Sequence, residues 1–215
     1  MKQCLQRATV ALGLVITGSL APVRTLSAAP VTTESVVFAG GCFWGVQSVF
    51  QHAKGVISAT AGYAGGSVDR PDYEEVSSGR TGHAESVRVT FDPSQISYGQ
   101  LMRIFFSVVH DPTLLNRQGP DVGTQYRSAI FYTTDAQKRE TAAYIDQLNK
   151  VHVYSRPIVT QVAPFTRFWA AEAYHQNYAE LHPDQPYIAI NDAPKVANLR
   201  KEFPALYTDK LAAHD

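Results

Sequence analysis

Apolar positions along the chain follow two periods, and the switches between them outline the elements. The run "VVFA" at 36–39 is unbroken and short, the pattern of a strand buried on both faces. Val46, Val49, Phe50 and Ala53 then recur at the spacing of a helix that buries one face, and Gly55 marks its stop. "VISATAGYAGG" predicts a strand that ends in a glycine loop, and "ESVRVTFDP", with Val87, Val89 and Phe91 alternating, predicts a strand of period two. Ser97 with Gln100, and Thr134 with Gln137, read as capping boxes that open the helices "YGQLMRIFFSVVH" and "DAQKRETAAYIDQLNK". Between those helices lie the loop 110–127 and the strand "SAIFYTT". After them come the strand "IVTQVAP" and a helix expected over 170–181. The order β-α-β-β-α-β, then α-β-α, predicts an α+β sandwich, ferredoxin-like with a split βαβ, with additional elements and a long, loop-rich C-terminal segment. No internal repeat or low-complexity tract interrupts it.

The first residues follow a different logic. Lys2 and Arg7 precede the apolar "ATVALGLVITGSLA", and the small-residue "TLSAAP" follows, which is the order of a secretory signal peptide. The expectation is a signal peptide over 1–29, a single catalytic domain over 30–215, and export to the periplasm or medium. An uncleaved membrane anchor through residues 8–21 is the alternative. Charge adds an exclusion: a formal net charge of +0 leaves no positive field for nucleic acid or an anionic membrane. Without a coiled-coil pattern, a monomer is expected.

Export changes the meaning of the cysteines. The chain has 2, Cys4 and Cys42, and Cys4 falls inside the expected leader. The mature protein would then carry a lone thiol in an oxidising setting, a liability unless its reactivity is used. Cys42 sits in "GGCFWG", where the first strand gives way to the first helix. Unpaired backbone N–H groups and the helix dipole there favour thiolate. Gly40, Gly41 and Gly45 are expected to clear a path to the sulfur, with Phe43 and Trp44 as an apolar wall or as core residues. Glu85 opens an otherwise alternating strand, as a solvated carboxylate or as an acid with a raised pKa. His83 stands two residues before it and invites a metal reading, but "HAE" lacks the P-C-x-x-C partner of a zinc deaminase and no H-E-x-x-H is present. No metal and no cofactor are expected.

The strings "GCFWG", "GYAGG", "YEEVSSGRTGHAESVRV", "HDPTLLNRQGPDVGTQYRSAIFY" and "AEAYHQNY" together resemble the peptide methionine sulfoxide reductases of the A type, over roughly 35–190 in order. The resemblance implies a ferredoxin-like fold and reduction of methionine-S-sulfoxide, free or in proteins. It implies Cys42 as the nucleophile, Phe43 and Trp44 as the pocket for the sulfoxide methyl group, and Glu85 as the proton donor to the oxygen. Tyr73 and Tyr126 match tyrosines that hydrogen-bond that oxygen; each could also be an ordinary half-buried aromatic. Asp121 matches a carboxylate that orients substrate or reductant, and could equally brace its glycine-rich loop. His110 and His175 read as structural hydrogen-bond partners. The chain departs from the family in one respect: Ile188 stands where many members carry a resolving cysteine, and no cysteine follows Cys42. Cys42 would rest as a sulfenic acid that an external donor, a thioredoxin-like protein or a small thiol, must reduce. A silent module that binds methionine or its sulfoxide is the competing reading; it would have no use for Cys42, Glu85, Tyr73 and Tyr126 together.

Overall fold

The computed structural model describes residues 32–214; the expected signal peptide and the alternative anchor lie outside the described residues. The chain runs through β1 (Glu34–Gly40), α1 (Phe43–Gln51), β2 (Val56–Ala64), a short α2 (Tyr73–Ser77), β3 (Ala84–Phe91) and α3 (Tyr98–Ile104). Then follow a small hairpin, β4 (Arg117–Gln118) and β5 (Asp121–Val122), and β6 (Ser128–Tyr132), α4 (Asp135–Lys150), β7 (Gln161–Pro164), β8 (Phe168–Ala170), α5 (Tyr178–Leu181) and α6 (Ala193–Glu202).

The six-stranded sheet has the order β7-β6-β1-β3-β2-β8. Its middle, β6-β1-β3-β2, is antiparallel at every pairing, so β1 and β2 run the same way with β3 between them. That is the split βαβ arrangement expected of a ferredoxin-like fold. β7 extends the sheet parallel to β6, and β8 pairs antiparallel with β2.

Alternation along β1 sends Val36 and Phe38 into the large core with α1 and α3, and Val37 and Ala39 into a smaller cluster on the other face. This is why "VVFA" shows no polar position. Phe38 stacks on Phe50 at 4.9 Å and on Phe105 at 4.7 Å, which ties β1 to α1 and to the segment after α3. Each such fully buried aromatic contributes roughly 1.5–3 kcal/mol.

Several elements differ from the sequence expectation. "FFSVV" continues α3 as a π-helical turn, Phe105–Val109, rather than as regular helix. Ser97 and Gln100 form a reciprocal capping box, but Gln137 does not reach back to Thr134. Its side chain is drawn instead to the carbonyl of Ser35 on β1, at 3.0 Å, and to the Thr133 N–H, at 2.9 Å. The loop 110–127 contains the β4–β5 hairpin. The helix expected over 170–181 is broken into the end of β8, a 3-10 turn at Ala173–His175 and the four-residue α5. The break follows from Gln176, whose side chain bonds both N–H and C=O of Ala61 on β2 and so holds this segment against the sheet edge.

Candidate active site

β1 delivers the chain to Gly41, whose φ of +91° makes the turn that lets Cys42 stand at the mouth of α1. The glycines of "GGCFWG" admit side chains from other segments. A Cβ on Gly41 would lie 2.6 Å from Gln118, and one on Gly45 would lie 2.1 Å from Asp192 Oδ1 and 2.9 Å from Lys195 Nζ. They make room for Gln118 and for the Asp192–Lys195 pair, of which Gln118 and Lys195 line the pocket shared with the thiol. Cys42 itself is 8% exposed and reached through a pocket of ≈ 230 Å³ shared with Gln118, Asp121, Tyr187 and Lys195.

The first backbone donor of α1, the Phe43 N–H, is given to Glu85 Oε2 at 3.0 Å. Glu85 projects from β3 and is 1% exposed. Burial outweighs that hydrogen bond, and with the Asp121 and Asp192 carboxylates adding to the rise the Glu85 carboxyl is pushed up to about 8. It is therefore an acid at neutral pH. Because the helix start serves Glu85, it does not dominate at sulfur. Burial first, then the charges of Glu85 and Asp192, push the Cys42 thiol well above its ordinary value, against the pull of the Trp44 N–H and Lys195. The expected resting thiolate is thus corrected to a resting thiol.

The aromatic residues divide in depth. Phe43 has no exposed surface and packs on Tyr63 and His175, with ring centres at 5.8 and 5.1 Å. Trp44 is half-buried, stacks on Tyr178 at 3.9 Å and meets Tyr187 edge-on at 5.9 Å. Its indole Nε1 donates to His175 Nδ1 at 3.1 Å, which requires a neutral imidazole, and burial holds His175 below its ordinary range. Trp44 therefore presents the wall and Phe43 lies beneath it.

Tyr73 begins α2, where a capping box formed by Asp72 and Glu75 opens the helix. Its N–H donates to Glu172 Oε1 at 2.9 Å, and its ring lies 4.4 Å from that of His175. Tyr126 ends the 3-10 turn before β6. Burial, and next the Glu85 charge, raise both phenols, so both remain hydrogen-bond donors. Both also feel the Cys42 charge, which puts them around the same centre. Asp121 accepts a hydrogen bond from the Tyr187 hydroxyl, so it braces the β4–β5 hairpin against the C-terminal segment while its charge acts on Glu85.

All seven residues singled out in the sequence, Cys42, Phe43, Trp44, Tyr73, Glu85, Asp121 and Tyr126, gather at this centre. His83 does not join them: Gly66 N–H donates to its Nδ1 at 3.1 Å and its Nε2 donates to Val68 O at 2.8 Å, leaving no lone pair for a metal. His110 is structural, between Phe105 O and Ser128 Oγ, and burial pushes it down to about 3. Sequence reasoning missed Glu172, Tyr187, Asp192 and Lys195. The available signals were polar residues three apart, Glu172 with His175 and Asp192 with Lys195.

The arrangement offers a thiol and a neutral carboxylic acid joined through one turn of backbone, two phenolic donors and an aromatic wall. The family model described as "Peptide methionine sulfoxide reductase" matches residues 34–206. "Peptide methionine sulfoxide reductase MsrA 2" of Mesorhizobium japonicum is 58% identical over 178 residues, 83% of this chain and 91% of that protein. "Peptide methionine sulfoxide reductase MsrA" of Deinococcus radiodurans is 52% identical over 178 residues, 83% and 84% of the two chains. The crystal structure of reduced Mxr1 from Saccharomyces cerevisiae is similar with a TM-score of 0.67 and 32% identity, covering 75% of this chain and 92% of that one. Methionine sulfoxide reductase A of Corynebacterium diphtheriae gives 0.63 and 33%, covering 73% and 77%.

Two outcomes follow from the packing and charge described. Gly45→Ala would favour an isolated helix by about 1 kcal/mol. Here the added Cβ meets Asp192 at 2.1 Å, so overpacking outweighs propensity and the variant loses roughly 1–3 kcal/mol in urea denaturation; a stabilised variant would refute the packing. Glu85 keeps its proton in the folded state up to about pH 8 and loses it near pH 4.5 when unfolded. Stability therefore falls as pH rises between those values, by up to about 1.4 kcal/mol per unit from this group. Glu85→Gln removes that slope, measured as denaturation midpoints from pH 5 to 8; an identical slope in the variant would contradict the raised carboxyl.

Proposed function

The chain belongs to the peptide methionine sulfoxide reductase family and reduces methionine sulfoxide to methionine, and we propose that it does so on the S epimer through a sulfenic acid on Cys42. The observation that carries this reading is the Glu85 carboxyl, buried and hydrogen-bonded to the backbone of the residue that follows the thiol, where burial raises it to about 8.

A sulfoxide oxygen leaves poorly unless protonated, so attack at its sulfur needs a nucleophile and an acid in one dry pocket. Glu85 gives its proton to the sulfoxide oxygen as the Cys42 sulfur attacks, and the thiol proton replaces the one Glu85 has lost. An S–S bond between Cys42 and the substrate forms as the S–O bond breaks and the protonated oxygen leaves as water. Water then attacks the Cys42 sulfur, the S–S bond breaks with methionine as the leaving group, and Cys–SOH remains while the last proton returns to Glu85. Protons balance within the site: one thiol and one sulfoxide become one sulfenic acid and one thioether. A resting thiol is therefore adequate, because its proton is needed in the product. Tyr73 and Tyr126, both kept protonated, hold the oxygen by hydrogen bonds, and Trp44 lies against the methyl group.

The return half-reaction uses outside electrons. With no cysteine after Cys42 in the chain, an external thiol condenses with Cys–SOH to a mixed disulfide and water. A second thiol then restores Cys42 and leaves as disulfide. A thioredoxin-like protein or a small thiol fits this chemistry. The order of charges and apolar residues over 1–29 supports work outside the cytoplasm.

Cys42→Ser abolishes turnover, and Glu85→Gln lowers the single-turnover rate by about 100-fold or more. In the unmodified enzyme that rate falls as pH rises through about 8, where Glu85 loses its proton, and the fall is absent in Glu85→Gln. Stopped-flow measurement of methionine formation from a sulfoxide peptide checks both; retained turnover in Cys42→Ser, or an unchanged rate in Glu85→Gln, would refute the assignment.

A further inference from the structure

The mechanism so far leaves unused the ion pair of buried Asp192 and partly exposed Lys195. Asp192 closes a π-helical turn, Ile188–Asp192, and is 0% exposed; Lys195 follows it by three residues in the first turn of α6. Lys195 Nζ donates to Asp192 Oδ1 at 3.0 Å, and Asp192 Oδ2 is buried without a partner. A carboxylate so placed costs stability relative to an apolar residue, because desolvating it is only partly offset by one ammonium. Both groups fill the notch at Gly45, directly behind the first turn of α1, and Lys195 also lines the pocket through which Cys42 is reached.

The charges around the sulfur show what such a cation could do. Facing Cys42 are Glu85 from β3, Asp121 from β5, Asp192 and Tyr187 from the C-terminal segment, and the phenols of Tyr73 and Tyr126. His110 borders the same pocket as a neutral imidazole, with Asp111 beside it. Among the described residues lining that pocket, Lys195 is the one cation. When Glu85 surrenders its proton to the sulfoxide, the centre gains a further carboxylate just as negative charge develops on sulfur. Without Lys195 every charge nearby would oppose that step.

We propose that Lys195 is the cation that stabilises negative charge on the Cys42 sulfur during attack, and that Asp192 is the positioning residue that holds it there through the notch at Gly45. The segment "PYIAINDAPK" then serves the site with charge rather than with a second thiol. Ile188, at the position where many relatives carry that thiol, is instead buried toward Ser48 and His52, on a pocket other than that of Cys42.

The inference rests on Cys42 being the nucleophile, and its test avoids sulfoxide so that the two can fail separately. The full chain is prereduced and alkylated with iodoacetamide from pH 7 to 10, with modification followed by mass on the Cys42 peptide. Lys195→Met slows alkylation at pH 8 by about tenfold and moves the profile up by on the order of one pH unit, the effect of losing a nearby opposite charge. Lys195→Arg retains the wild-type profile, which a loss of packing alone would not explain. Lys195→Gln, measured beside the methionine variant, gives the same shift and covers the case in which Lys195→Met does not fold. An unmoved profile in the neutral variants, or an arginine variant that behaves like them, overturns the role of Lys195. A wild-type protein that alkylates normally yet never reduces methionine sulfoxide overturns the reductase reading instead.

Discussion

The hydrogen bond from the Phe43 N–H to Glu85 is the interaction on which the site depends. It joins residues 42 positions apart, the start of α1 and the start of β3. A helix N-terminus leaves backbone donors without partners, and a buried carboxyl needs at least one. Each solves the other's problem here, and the side effect is geometric: the acid is fixed one residue from the sulfur. Loss of either element would leave a desolvated carboxyl in the core, so fold and chemistry share this contact.

Around that contact the site keeps its charge low. Glu85 is neutral, the thiol is neutral, the tyrosines are neutral and both nearby imidazoles are held neutral by burial. This suits a reaction whose first half consumes no net proton. Charge enters from the C-terminal segment, as the proposed Asp192–Lys195 pair and as Tyr187 bonded to Asp121. Glu172 plays a comparable part beneath the aromatic wall, with one oxygen on the Tyr73 N–H and the other on the Tyr63 hydroxyl.

Much of the sheet was legible because its strands are buried in characteristic ways. β1 reads as an unbroken apolar run, and β3 shows alternation in its second half, where Arg88 and Thr90 face outward. Cys42 and Glu85 stood out in their short strings, with Phe43 and Trp44 beside the thiol, whereas Tyr73, Asp121 and Tyr126 entered through the resemblance of theirs to the reductase family. What escaped reading depends on contacts between distant segments. Nothing local in "AEAYHQNY" reveals that Gln176 will bond the backbone of Ala61 and break the helix there. Nothing around Gly45 announces that its missing side chain is filled by residues about 150 positions later. The thiolate was misread for a related reason: helix position is local, whereas burial and the competing demand of Glu85 are not.

The most direct test of the account is a stoichiometric one. Prereduced protein, freed of reductant, is mixed with a peptide bearing methionine-S-sulfoxide; methionine is counted per protein, and Cys42 is probed with dimedone. The account predicts one methionine for each Cys42, with the sulfur trapped as its sulfenic acid and no further turnover until a thiol is added. Binding of the peptide with no methionine formed and no dimedone adduct would contradict it.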